Sequence, residues 1–220
     1  MTDTLAFYTH PQSRGRITRW MLEETGLRYD VVMLEYGSSM KSAQYLALNP
    51  MGKVPALLQG KTVITENAAI CLHLADLAPW KGLLPPVGSA ERGECYRWVL
   101  FAAGPLEAFI TDRRHGALAP PMEAGYGTAE DLLHTLETAV AGKRYLVGEG
   151  FTVADLYMAS FLSYYIRVGE LEAKPVFLEY CALHLQRPDE ARRRRAQPLV
   201  GDEGDRHLRA LGGAEQDVLD

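Results

Sequence analysis

One change of texture constrains this chain more than any other feature. Up to about residue 78, short apolar runs alternate with helical patterns; past the Pro/Gly-rich stretch "PWKGLLPPVG" at 79–88, only helical periodicity remains. In the first part, "LAFY" at 5–8, "VVML" at 31–34, "ALL" at 56–58 and "TVI" at 62–64 read as strands. Ile17, Trp20, Met21 and Leu22 recur at helical spacing, with Gly26 as a natural stop. Residues 45–48 suggest a short helix ended before Pro50, and a further helix spans 67–77. The order is β-α-β-α-β-β-α. Strand-helix-strand units call for a parallel pair, and the tight turn Gln59-Gly60-Lys61 adds an antiparallel edge. The expected architecture is an α/β domain over 1–78, a linker over 79–88 and an all-helical domain over 89–220.

In the second part, Trp98, Phe101, Ala102, Pro105, Phe109 and Ile110 mark one long helix. Leu132, Leu133, Leu136, Ala139 and Val140 mark another, and Leu156, Ala159, Ser160, Ser163 and Tyr164 a third. The third has a clear start. Thr152-Val153-Ala154-Asp155 fits a capping box, which assigns Asp155 a structural rather than a catalytic duty. From about residue 188 the chain is rich in charge and poor in large apolar side chains, which reads as a surface helix and a loose tail. Its run Arg192 to Arg195 reads as a solvated face rather than an anion site.

The totals narrow the partners. A net charge of -5 argues against broad nucleic-acid binding. No apolar run reaches the roughly 18 to 20 residues of a membrane span. The start "MTDTLAFYTHP" lacks a basic region and a long apolar core, so no secretory signal is read there. Cys71, Cys95 and Cys181 are odd in number, far apart and without a C-x-x-C spacing. That pattern suits reduced, buried thiols in a cytoplasmic protein, with no metal site.

Three stretches carry candidate chemistry. Val54-Pro55 opens a strand, and a proline there cannot donate to a ladder. If the bond is cis, the N–H and C=O of Val54 are left unpaired, ready for an extended peptide-like ligand to pair with. The same proline is also accounted for as a strand-opening residue with no ligand. Thr65-Glu66-Asn67 opens a helix, whose free N–H groups and partial positive charge suit a carboxylate. Thr65 or Asn67 can cap it, and Glu66 adds a negative charge that suits an ammonium. The turn "YTHPQSRG" offers Thr9, His10 and Ser13 as donors, with Ser13 placed first of all to cap the helix that follows.

Taken together, "NPMGKVPALL" with "TENAAI", "FTVADLYMASFL" and "PQSRGRITRWMLEE" resemble the glutathione S-transferase superfamily, and a bacterial and fungal branch of it with a short Ser-Arg first loop. The resemblance runs to about residue 187; the tail beyond it does not match. It implies a thioredoxin-like first domain with Pro55 cis, a helical second domain, glutathione as cosubstrate and a homodimer. It also implies site roles. The Val54 backbone would pair with the cysteinyl part of glutathione, Glu66 and Asn67 would hold its γ-glutamyl end, and Lys53 would face its glycine carboxylate. Ser13 is the first choice for the hydroxyl that activates the thiol, with Thr9 and His10 as alternatives. Many members carry Glu-Ser or Gln-Ser where this chain has Glu66-Asn67.

The implied activity is attack of a glutathione thiolate on small hydrophobic electrophiles, a detoxification chemistry needing no metal. Their pocket is expected beside Phe109, Ile110 and Arg113, with Tyr164 or Tyr165. The alternatives are glutathione-dependent peroxide reduction and a non-catalytic binding module of the same fold.

Overall fold

In the computed structural model, which describes residues 4–187, β1 (Leu5–Thr9) lies inside a four-stranded sheet of order β2-β1-β3-β4. Its alternation is strict. Leu5, Phe7 and Thr9 are buried on one face, while Ala6 and Tyr8 are half-buried on the other. β2 (Tyr29–Met33) runs parallel to β1, as a strand-helix-strand unit requires, with Phe7 opposite Val31. β3 (Ala56–Gln59) runs antiparallel on the other side, with Tyr8 opposite Ala56. β4 (Thr62–Ile64) closes the hairpin with Leu57 opposite Ile64, turning through Gly60 at φ 58°.

Helices cover both faces of the sheet. α1 (Gly15–Thr25) and α3 (Asn67–Leu77) pack together, burying Trp20, Met21, Leu22, Ile70 and Leu74. Gly26 ends α1 in the left-handed conformation, its N–H returning to the Leu22 carbonyl. On the other face, Leu34, Met40, Tyr45 and Ala56 form a second cluster, joined by Tyr8, Val32, Leu48 and Val54. Tyr45 comes from the short α2 (Ala43–Leu48), capped by the Ser42 hydroxyl accepting from the Tyr45 N–H. The element order is the expected β-α-β-α-β-β-α.

The described residues divide into two compact units, 4–84 and 85–187. The second is helical throughout: α4 (Ala90–Phe101), α5 (Glu107–Arg114), α6 (Ala129–Val140), α7 (Val153–Arg167) and α8 (Pro175–Leu185). One expectation changes here. The long helix through Pro105 is present, but a π turn over Ala102–Leu106 divides it into α4 and α5. Proline has no N–H for the i→i−4 bond and crowds the preceding turn, so the helix widens to pass it. α8 was not read from the sequence. Its signal was present in Pro175 at the first helical position and in Phe177, Tyr180, Cys181 and His184 on one buried face.

The capping box of α7 is formed. The Asp155 carboxylate accepts from the Thr152 N–H (2.8 Å) and also from the Leu146 N–H (2.7 Å) and the Tyr180 hydroxyl (2.8 Å). Asp155 is fully buried, and burial pushes its carboxyl up from the usual range against the downward pull of those hydrogen bonds. Its duty is structural. Among the described residues no helix is long and apolar enough to cross a membrane. The charged stretch from residue 188, with Arg192 to Arg195, lies outside the described residues.

Candidate functional site

The sheet topology gathers the three candidate stretches at one end. β1 finishes at Thr9, β3 begins antiparallel beside it at Ala56, and β4 finishes at Ile64 opposite Leu57. The β1–α1 turn, Val54-Pro55 and Thr65-Glu66-Asn67 therefore leave the sheet together, although Thr9 and Asn67 lie 58 residues apart in sequence (67 − 9).

The Val54–Pro55 bond is cis. Pairing of β3 with β1 starts only at Ala56, and among the described residues no hydrogen bond engages the N–H or C=O of Val54. Val54 is half-buried, and neither group has a partner among the described residues. The preceding carbonyl, that of Lys53, is held from α2 by the Tyr45 hydroxyl (2.5 Å) and the Asn49 side-chain amide (2.9 Å). The Lys53 side chain itself is exposed.

Glu66 caps α3 by position, but its side chain makes no cap hydrogen bond. It is exposed, and its backbone sits at φ 65°, ψ 115°, alone in positive φ among the described non-glycine residues. Such a backbone is strained by roughly 1–3 kcal/mol and persists only where its surroundings impose it. The expectation that Thr65 or Asn67 caps the helix is corrected. Asn67 is the first helical residue and turns inward, where its Oδ1 accepts from the Thr18 hydroxyl of α1 at 2.5 Å. Its Nδ2 is buried without a partner. The first α3 bond runs from the Ile70 N–H to the Glu66 carbonyl, so the N–H groups of Asn67, Ala68 and Ala69 have no intrahelical acceptor. A carboxylate side chain beside a set of free N–H groups matches an amino acid's ammonium and carboxylate.

The first turn sorts its three donors. Thr9 is fully buried on the face toward α1, its hydroxyl unpartnered and too close to Gly15 for any Cβ there. His10 is mostly covered. Its Nδ1 accepts from the Gln12 N–H (3.1 Å), leaving Nε2 to carry the proton 3.5 Å from Glu35, and its ring meets Tyr36 edge-on. Ser13 is half-buried and lies one residue before the helix cap, which is Arg14. Its hydroxyl donates to the His10 carbonyl (2.7 Å) and accepts from the Gly15 N–H (3.1 Å), so it still does part of a cap's work.

No protein thiol joins the site. Burial pushes Cys95 up to about 11, Cys181 up to about 12 and raises Cys71 as well. All three are inert buried thiols. In the helical unit, Phe109, Ile110 and Tyr165 are likewise core residues, 0%, 1% and 2% exposed, and Arg113 lies over the Phe109 ring. Three of the five side chains expected to line an electrophile pocket are thus packed away, and Tyr164 remains half-exposed.

A mixed four-stranded sheet with one parallel and two antiparallel pairs, covered by helices and followed in the chain by an all-helical unit, defines the class as a thioredoxin-like α/β protein with a helical second unit. Comparison with known proteins makes the class specific. Residues 3–76 match the family model "Glutathione S-transferase, N-terminal domain", and residues 117–180 match its C-terminal counterpart. A glutathione S-transferase of Xanthomonas campestris pv. campestris is 30% identical over 176 residues, covering 75% of this chain and 84% of that one. An elongation factor 1-gamma of Prunus avium is 33% identical over 143 residues, covering 61% of this chain and 33% of its own length. Among solved structures, a sphingomonad glutathione S-transferase complexed with glutathione superposes with TM-score 0.71 at 26% identity, covering 88% of this chain and 99% of that one. The chain belongs to the glutathione S-transferase family, with a thioredoxin-like first unit and a helical second one.

Proposed function

We propose that this chain activates the thiol of glutathione for attack on small hydrophobic electrophiles, as a homodimer in the cytoplasm and in the service of detoxification. The observation that carries the reading is the pairing of two free backbone surfaces at one end of the sheet: the N–H and C=O of Val54, and the start of α3 behind Glu66. The cysteinyl residue of glutathione adds to Val54 as a short antiparallel strand. Its γ-glutamyl end is taken by Glu66 (ammonium) and by the N–H groups from Asn67 onward (carboxylate). Lys53 meets the glycine carboxylate.

Ser13 supplies the hydroxyl to the sulfur. A free thiol has pKa near 8.5, and lowering it by about two units, for roughly 2.7 kcal/mol, makes it mostly thiolate at neutral pH. In the protein alone the Ser13 proton goes to the His10 carbonyl. Donation to sulfur exchanges that neutral hydrogen bond for a charge-assisted one, roughly twice as strong, so the exchange is downhill once the thiolate forms. The thiol proton leaves to solvent, and the sulfur lone pair forms the C–S bond as the electrophile's leaving group departs. Proximity supplies the rest. The buried cysteines disfavour a protein thiol as intermediate, which favours conjugation over disulfide exchange.

The test is Ser13→Ala with glutathione and a generic aryl halide. The expected outcome is a fall in kcat/KM of about a hundredfold, equivalent to about 2.7 kcal/mol, with the pKa of bound glutathione returning toward 8.5. An unchanged pKa removes Ser13 from the role. The elongation-factor relative favours a second reading, a non-catalytic binding module. Calorimetry separates the two: a protein that fails to bind glutathione belongs to the second.

A further inference from the structure

Two buried side chains of the first unit carry polar groups that apolar packing does not account for. Tyr45 is 2% exposed and Asn49 5% exposed, yet both spend a polar group on the same acceptor, the Lys53 carbonyl. That carbonyl belongs to the peptide unit immediately before Val54. Its two lone pairs are both engaged, which fixes the plane of the unit. The Lys53–Val54 bond is trans, unlike the next one. Across a trans peptide the C=O and N–H point in opposite directions. With the carbonyl drawn onto α2, the Val54 N–H must point away from α2, where the protein offers it no acceptor.

The surrounding loop is built to hold that geometry. Asn49 accepts from the Met51 N–H (3.2 Å) through its side chain and from the Gly52 N–H (2.8 Å) through its carbonyl, while its own N–H returns to Tyr45 (2.8 Å). Gly52 adopts φ 58°, and a Cβ there would come within 2.7 Å of Lys41 Nζ and 2.8 Å of the Met40 carbonyl. Residues 49–53 therefore press against the preceding turn, with no slack for the Lys53 carbonyl to swing.

We propose that Tyr45 and Asn49 are positioning residues for glutathione: by clasping the Lys53 carbonyl they aim the Val54 N–H at the ligand's cysteinyl carbonyl. The inference rests on the reading of Val54 given above. It makes α2 part of the binding apparatus without any contact between Tyr45 or Asn49 and the ligand. It also gives a physical reason for the stretch Asn49 to Pro55 as a unit: amide clamp, tight glycine, clasped carbonyl, presented N–H.

The experiment compares glutathione binding by calorimetry and steady-state kinetics in the unmodified protein, Tyr45→Phe, Asn49→Ala and the double variant. Tyr29→Phe serves as the control, since Tyr29 donates to Glu23 and pairs with Leu5, at the end of β1 opposite to the Tyr8–Ala56 pair where Val54-Pro55 enters β3. Each single variant loses one of two hydrogen bonds on the carbonyl. The expected result is a rise of about fivefold in Kd and in KM for glutathione per variant. The double variant loses more, while kcat at saturating glutathione and KM for the aryl halide stay put. In amide NMR spectra, the shift of the Val54 N–H on adding glutathione shrinks in the double variant and is kept in Tyr29→Phe. Tyr45→Phe preserves ring volume, so it reports even if Asn49→Ala fails to fold. Lowered melting temperatures with unchanged Kd and an unchanged Val54 response would overturn the proposal and leave the pair a merely structural brace. A fall in kcat with KM constant would overturn it equally. An unmodified protein that binds no glutathione removes the functional reading itself, a failure seen before any variant is measured.

Discussion

At Glu66 a single backbone angle separates what is stable from what is useful. A glutamate at φ 65° is strained, and its carboxylate makes no hydrogen bond within the cap. Glu66→Gly releases about 1–3 kcal/mol of strain against about 1 kcal/mol of added chain entropy. The melting temperature is expected to hold or rise, while glutathione affinity falls by about tenfold with the lost ammonium partner. Glu66→Gln keeps the strained backbone and loses only the charge, so it lowers affinity with the melting temperature unchanged. Thermal melts and calorimetry on the two variants check this; a Glu66→Gly protein that melts lower but binds normally contradicts it. The sequence marked Thr65-Glu66-Asn67 as a helix start because the polar cluster precedes an apolar run. The direction in which Asn67 turns was not written there. It is decided by the Thr18 hydroxyl, 49 residues earlier, reaching Asn67 from α1.

The same division holds for whole elements. The start of α7 was legible because a capping box is a local pattern, complete within four residues. That Asp155 also anchors the Leu146 N–H and, through Tyr180, the middle of α8 depends on partners 9 and 25 residues away. Removing the carboxylate strands buried donors in the α6–α7 loop, at the cap of α7 and on α8. Asp155→Ala is expected to destabilise by about 3–5 kcal/mol. Thr152→Ala, which loses one cap hydroxyl, is expected to lose only about 1 kcal/mol. Urea unfolding measures both, and comparable losses would show that the hub is no more than a cap. The widening at Pro105 is not legible in the sequence for a related reason. Apolar spacing runs on through Ala102–Leu106, so periodicity alone gives one helix, and only the backbone shows how the π turn admits the proline.

Across the molecule, the buried polar groups set how stability answers to pH. Burial lowers His184 from its usual 6.5 to about 4, with Arg187 adding to the effect. The neutral ring is therefore the folded form, while the unfolded chain takes up a proton below about 6.5. The stabilisation is present above that pH and is lost as pH falls toward 4, by up to about 3 kcal/mol, levelling off below. Urea unfolding from pH 7.5 to 4 measures the slope, and His184→Phe is expected to flatten it; an equal slope in the variant assigns the loss to other groups. His184 belongs to α8, the helix that periodicity did not single out, so this property was invisible in the sequence. The sequence by itself determined the two textures, the β-α-β-α-β-β-α order and the residues Ser13, Val54, Pro55, Glu66 and Asn67 as candidates, because patterning, prolines and caps act over a few neighbouring residues; Lys53 entered only through the family resemblance. Only the tertiary structure decided which groups are free. The Ser13 hydroxyl is engaged, Asn67 faces inward, Phe109 and Tyr165 are core, and the Val54 N–H faces outward because Tyr45 and Asn49 hold the carbonyl before it. A donor's availability depends on whether some other part of the chain has already satisfied it, and that partner can lie anywhere in the sequence.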